Sequence, residues 1–278
     1  MTNELDSRVD GLEMLEAAFL NFPQVPCPVI HRFGPGIYIR EVNIPAGTIA
    51  IGHYQKKEHV NIFLKGKLKI LDDDGSVIEL AAPMIFVGKP GRKFGYITED
   101  VVWLNVYPTE ETDVEKLEET YLDKSPTWKN MAAIQGFEAL KRLPDVDDYR
   151  LLLSEIGLSH ETVQTQTMNE EDQIPMPMGS YKFSISNSLI HGKGVFATAE
   201  IEEGEIIGPA RLAGMRTPIG RYVNHSLQAN ARMGDHGGDI FLHAARTIEG
   251  SRGGFLGEEI TTNYRETLKL MGVIKCLE

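Results

Sequence analysis

The sequence predicts a mainly β protein made of two β-rich segments with a helical connector between them. Three observations predict it. Between Gly36 and Pro108, short runs rich in β-branched and aromatic residues alternate with Gly, Pro and Asp clusters. From Glu111 to Gly157 the apolar period changes to three and four residues. From Ser180 onward β character returns in a glycine-rich stretch with many turns. The segments expected are 1–110, 111–178 and 179–278.

Composition bounds the function. The chain has 278 residues, 42% of them hydrophobic, which suffices for two cores. Its formal charge of −12 argues against a general nucleic-acid binder, which needs a basic face for phosphates. The charge is uneven. Residues 111–178 carry 6 Lys and Arg against 15 Asp and Glu, net −9, while 179–278 balance at 11 against 11. No apolar run reaches the ~20 residues of a membrane helix, and Met1–Asp10 is too acidic for a secretory signal. Two cysteines, Cys27 and Cys276, make neither a disulfide framework nor a four-thiolate zinc site, so a reducing, cytoplasmic setting is expected.

In chain order, Asn3–Phe22 reads as an amphipathic helix with Leu5, Val9, Leu12, Leu15 and Phe19 on one stripe. Seven strands follow: Ile37–Val42, Thr48–His53, His59–Leu64, Lys67–Leu71, Val77–Leu80, Met84–Val87 and Val101–Val106. Their spacing argues an antiparallel sandwich or barrel. Lys65-Gly66-Lys67 reads as a tight connection and Asp74-Gly75 as a hairpin turn. Val114, Leu117 and Tyr121 mark one helical stripe. Met131–Leu143 marks a helix stopped by Pro144, and Asp147–Ile156 one capped by Gly157. Residues 159–179 are polar, and their latter part reads as a linker. Strands are expected at Tyr181–Ser186, Gly194–Ala197, Glu205–Ile207, Asp239–Ala244 and Glu259–Asn263.

Three strings in the last segment have the composition of a site. His191-Gly192-Lys193-Gly194-Val195-Phe196-Ala197 lets a ligand approach the backbone. Arg221-Tyr222-Val223-Asn224-His225-Ser226, with Asn230, crowds hydrogen-bonding groups. Gly257-Glu258-Glu259-Ile260-Thr261-Thr262-Asn263-Tyr264 is a strand ending in a phenol. In their order and spacing they resemble a SET domain, the β-fold lysine methyltransferase module, over roughly 180–270. The resemblance implies a pseudo-knotted β-clip fold in which the C-terminal segment threads beneath a loop. It implies S-adenosyl-L-methionine as methyl donor and a lysine side chain of a protein as acceptor. Lys193, Gly194, Val195, Asn224 and His225 would hold the donor. Tyr264 would be the active-site phenol, and Tyr222 would line the donor or lysine pocket.

Methyl transfer to an amine is an in-line displacement and needs no metal or covalent nucleophile. Catalysis is chiefly positioning and control of charge. The acceptor must be neutral. From a reference pKa near 10.4, deprotonation at pH 7 costs ~4.6 kcal/mol, which a dry apolar channel lowers. The sequence departs from most SET domains. Gly208–Gly220 is a short insert, resembling the minimal SET proteins of viruses and bacteria. No cysteine-rich zinc segment follows Tyr264. Thr262 stands where many relatives carry Phe or Tyr, which leaves the product state open. The substrate groove must be completed from elsewhere.

In the first segment, Gly47, His53, Gln55, His59 and Gly66 stand at the spacing of a cupin motif, and Pro90-Gly91 matches a second. The resemblance spans roughly 30–110 and implies a cupin-like barrel. A metal cupin carries His, His and Glu at positions 53, 55 and 59. Here they are His53, Gln55 and His59, and the usual His of the second motif is Phe94, so a degenerate cupin without a metal is expected. Cupin barrels often pair, so a dimer is the default. His236 with Asp235 and Gly237-Gly238 reads as a solvated turn. Two other readings stand beside the methyltransferase: a non-catalytic assembly or interaction protein, including a virion component, and a metal enzyme using His53 and His59.

Overall fold

The computed structural model describes residues 2–71, 76–126 and 142–273, with the backbone alone for 2–10. Its contacts divide the chain into two compact units. One holds residues 1–134 and Ser251–Leu256; the other holds 135–250 and 257–278. The boundary therefore falls before the last connector helices, and those helices belong to the second β unit.

The first unit begins with α1 (Thr2–Phe19), whose end packs within the unit: Phe19 stacks on Phe94 and Glu16 pairs with Arg92 at 2.5 Å. The strands that follow are β1 (Val29–Gly34), β2 (Ile37–Ile44), β3 (Ile49–Ile51), β4 (Tyr54–Gln55), β5 (His59–Leu71), β6 (Val77–Ala81), β7 (Met84–Gly88) and β8 (Phe94–Pro108). Then come α2 (Val114–Tyr121), N-capped by the Asp113 carboxylate, and β9 (Leu122–Asp123).

The long antiparallel strands β5 and β8 are the spine of the sheet. Toward one end β5 pairs with β7 and β8 with β2; toward the other β5 pairs with β6 and β8 with β3. Between these halves the β5–β8 register slips from Phe63 to Leu68. Gly66 sits in that slip at φ +97°, and a Cβ on it would lie 2.3 Å from the Asp100 carbonyl oxygen. Only glycine fits, and the strand bends there. The expected tight connection at Lys65–Lys67 is thus a bulge inside one continuous strand. Asp74-Gly75 and nearly all of the expected helix at Met131–Leu143 lie outside the described residues.

The closed barrel expected from strand spacing is not what forms. Among the described residues the strand path runs β1-β2-β8-β5-β6 and stays open. Bending at the bulge already lets both halves contribute to one core. Phe63, Leu68, Ile97 and Val101 sit at its centre, packed by Ile44, Ala50, Leu80, Met84, Phe86 and Trp103. The apolar faces are buried without the sheet edges pairing.

The second unit begins, after the undescribed residues, with α3 (Leu143–Glu155) and α4 (His160–Thr167). Pro144 lies in the first turn of α3, where its missing N–H costs nothing, and so starts this helix. Gly157 ends it at φ +69°. The chain then forms β10 (Gly179–Tyr181), β11 (Phe183–Asn187), β12 (Lys193–Ala197), β13 (Ile206–Leu212), β14 (Met215–Arg216), α5 (Pro218–Tyr222), β15 (Asn224–His225), β16 (Ala231–His236), β17 (Asp239–Ala244), β18 (Glu259–Thr262) and α6 (Tyr264–Leu270).

The strand order is β11-β12-β18-β16-β17-β13-β14, with β15 also on β18. The last strand in the sequence thus lies inside the sheet. It pairs antiparallel with β12 (Phe196 opposite Glu259) and parallel with β15 (Asn224 opposite Thr261, His225 opposite Thr262). Phe183, Val195, Ile219, Leu242, Ile248 and, on β18 itself, Ile260 are fully buried. This placement brings the three site-like strings together.

Candidate functional site

The buried polar side chains around β18 form one connected set. Asn230 spans the strand as a surrogate backbone: its Nδ2 donates to the Glu259 carbonyl and its Oδ1 accepts from the Thr261 N–H. The two glutamates ahead of Ile260 point to opposite faces, as strand alternation requires. Glu258 is clamped by both Arg246 nitrogens at 2.8–2.9 Å. Glu259 turns inward and accepts from Asn224 Nδ2 (2.8 Å) and Ser188 Oγ (2.7 Å), its carboxyl pushed up by burial. Gly194 must be glycine, because a Cβ there would meet the Glu259 carboxylate at 2.3 Å. The Asn224 amide also donates to the carbonyls of Lys193 (3.0 Å) and His191 (3.2 Å), pinning the glycine loop to the Asn-His strand.

His225 ties that strand to two other elements. Its Nδ1 accepts the Tyr264 backbone N–H at 3.1 Å, so the proton of the neutral ring sits on Nε2 and is donated to Asp148 Oδ2 at 3.0 Å. Burial holds its pKa below the usual imidazole range, and Asp148 offsets part of that shift. Asp148 is gripped in turn by Arg265, which also binds Glu155; the Arg265 hydrogen bond holds the Asp148 carboxyl below the usual carboxylate range. One turn earlier on α3, Asp145 Oδ1 accepts from Ser226 Oγ and the Leu227 N–H. Two carboxylates at i and i+3 of one helix therefore anchor the Asn-His-Ser string.

Beside this set lies a cleft of about 1470 Å³, lined by His191, Gly192, Lys193, Arg221, Tyr222, Asn224, His225 and Tyr264, with Tyr149, His160 and Val163 from α3 and α4. The Tyr264 hydroxyl donates to the Val223 carbonyl (2.8 Å), and burial raises its pKa far above that of a free phenol, so it stays protonated. Lys193 Nζ and the Arg221 guanidinium lie 5.8 and 4.9 Å from the Tyr222 ring centre. Of the seven site residues expected from the sequence, Lys193, Tyr222, Asn224, His225 and Tyr264 line the cleft. Gly194 and Val195 do not: Gly194 backs onto Glu259 and Val195 is a core residue. Sequence reasoning missed Asp145, Asp148 and Tyr149, which sat in what read as a solvated acidic connector. A polar atom without a hydrogen bond adds Arg221, whose buried Nε has no hydrogen-bond partner among the described residues.

At the cupin-motif positions of the first unit, Gln55 Oε1 accepts from Tyr107 Oη at 2.5 Å. His59 Nδ1 donates to the Lys57 carbonyl at 2.9 Å, leaving Nε2 facing Gly88 without a hydrogen bond. Burial pulls the pKa of His53 down to about 3, and that of the fully buried His31 to about 4. Among the described residues no group of three or more His, Cys, Asp or Glu side chains is placed to hold a metal ion. Cys27 is a free thiol, pushed up to about 11 by burial. Cys276 lies outside the described residues. No helix among the described residues is long and apolar enough to cross a membrane.

No family model and no curated protein matches this sequence. Solved structures similar to about a third of the chain include cupin-domain proteins. A cupin-2 domain protein from Shewanella frigidimarina is 18% identical over 34% of this chain and 92% of its own, with a TM-score of 0.25. A cupin domain from Bordetella pertussis is 12% identical over 32% of this chain and 99% of its own, at 0.26. An RmlC-like cupin from Methanocaldococcus jannaschii, with a double-stranded β-helix fold, is 15% identical over 32% and 86%, at 0.25. The likeness says nothing of ligand or activity.

Proposed function

We propose that the second unit is a SET-type protein-lysine N-methyltransferase that uses S-adenosylmethionine. The carrying observation is the convergence of Lys193, Tyr222, Asn224, His225 and Tyr264, drawn from three separated strings, on one cleft. The fit of the donor rests on two features of that cleft. The backbone at Gly192 (φ +52°) is open, with nothing within 4 Å of a notional Cβ, so a flat ligand can lie against it. The unpartnered Arg221 Nε offers a cationic donor suited to the carboxylate of the methionyl moiety. When bound, the donor supplies an electrophilic methyl on a sulfonium.

The chain's own residues do the positioning. Asn224 fixes the glycine loop, and His225 fixes the backbone entry to Tyr264. The Tyr264 phenol stays protonated and, held on the Val223 carbonyl, presents its oxygen lone pairs as acceptors for an amine N–H. An amine held on the Tyr264 oxygen would present its lone pair to the donor's methyl, and the proton released by the product ammonium would pass to solvent. Tyr264→Phe is expected to lower methyl incorporation at least about a hundredfold while leaving donor affinity within about twofold. Equal incorporation by the variant would refute the assigned role.

The first unit we read as an oligomerisation module. Leu64 (57% exposed), Ile85 (72%) and Val87 (65%) stand with Val60 on the outward face of paired β5 and β7. This uncharged aliphatic face complements a second copy of itself about a two-fold axis. Light scattering is expected to give a dimer that Ile85→Glu converts to monomer. A monomeric wild-type chain would end this reading.

A further inference from the structure

The cleft has a wall that no motif supplies. Tyr149 of α3 stands edge-to-face on Tyr264, with ring centres 6.1 Å apart and planes at 77°. Its other side meets the His160 ring of α4 at 6.3 Å, and His160 meets His191 of the glycine loop at 5.1 Å. A continuous aromatic strip, Tyr264–Tyr149–His160–His191, therefore borders the cleft. The Tyr149 hydroxyl makes no hydrogen bond to any described residue, whereas the Tyr264 hydroxyl is committed to the Val223 carbonyl. Tyr149 is held in place from behind by its neighbour Asp148 on His225 and Arg265. On the Tyr264 side, Thr262 is fully buried and faces Thr267, so it contributes no aromatic ring.

We propose that Tyr149 is a specificity-determining residue of the acceptor channel: it forms the second aromatic wall around the substrate lysine, and its free hydroxyl is an acceptor for the amine. This rests on the methyltransferase reading above. The two rings touch edge to face and together form an apolar corner at the cleft wall, against which a methylene chain can lie. Desolvation beside the rings favours the neutral amine, the nucleophilic form. The short insert before Arg221 leaves this side of the groove to the connector, and α3 and α4 fill it. A bulky wall with a hydrogen-bond acceptor limits how many methyls the nitrogen can carry.

The test separates the wall from the donor site. The probes are S-adenosylmethionine and a bisubstrate analogue, an adenosyl amine in which a lysine-like aminobutyl chain is joined to the donor skeleton. Titration calorimetry on the intact chain should show the analogue binding at least about tenfold tighter than the donor alone. Tyr149→Ala should abolish that increment, and Tyr149→Phe, which keeps the ring and loses the acceptor, should lose only part of it, with donor affinity unchanged within about twofold in both. A purely structural role would weaken both ligands together. An undiminished increment in Tyr149→Ala overturns the channel assignment and leaves the methyltransferase reading standing. Absence of donor binding by wild type overturns both.

Discussion

At the residue scale, the site is built from side chains that each serve two elements. Asn224 joins the glycine loop to Glu259, and His225 joins Tyr264 to Asp148. The Asp148 side chain is only 13% exposed, so removing it leaves an imidazole N–H without its partner and strips Arg265 of one of its two carboxylates. Asp148→Ala is expected to destabilise the second unit by about 2 kcal/mol, read by chemical denaturation. The exposed Asp147→Ala should be silent within about 0.5 kcal/mol. Equal effects would show that α3 does not brace the site. The motif residues were legible in the sequence because they sit in contiguous strings. Asp148 was not, because its partners are 77 and 117 residues away and a carboxylate on a helix normally means a solvated face.

At the scale of elements, periodicity found most strands but mistook a bend for an end. Lys65-Gly66-Lys67 has the composition of a turn, yet β5 continues through it, because the β5–β8 register slips there and absorbs the glycine. Only the pairing partner distinguishes a bulge from a turn, and a single segment does not display its partner. Gly66→Ala should cost at least about 2 kcal/mol, combining a left-handed φ with a clash on the Asp100 carbonyl. Gly47→Ala, which meets nothing within 4 Å, pays only for its φ and should cost about half as much. Urea midpoints of the two variants test the difference, and equal values would place the bend elsewhere. α3 shows the same limit in another form: Pro144 read as a stop and acts as a start, since the residue type fits both.

At the scale of the whole molecule, the first unit answers to pH through two buried histidines. His31 and His53 in the first unit are held neutral, with pKa values near 4 and 3 against 6.5 when unfolded. Between those limits the unfolded state binds more protons than the folded one, so stability falls as pH drops below about 6.5. The loss is roughly 1.4 kcal/mol per pH unit for each imidazole until about pH 4. Trp103 packs against the core of the first unit, so its fluorescence reports the unfolding of that unit. Denaturation midpoints should fall steeply from pH 6.5 to 4.5; a flat profile would mean that these imidazoles are not buried neutral. The segmental charge also takes on a use. Part of the −9 connector packs as α3 and α4 in the second unit, where Asp145, Asp148 and Glu155 bind specific partners.

The central claim is that the cleft beside β18 binds a methyl donor, and titration calorimetry of the intact chain with S-adenosylmethionine tests it most directly. The account predicts saturable one-site binding that weakens at least about tenfold in Asn224→Ala, which frees the glycine loop. No heat of binding at millimolar donor would contradict it.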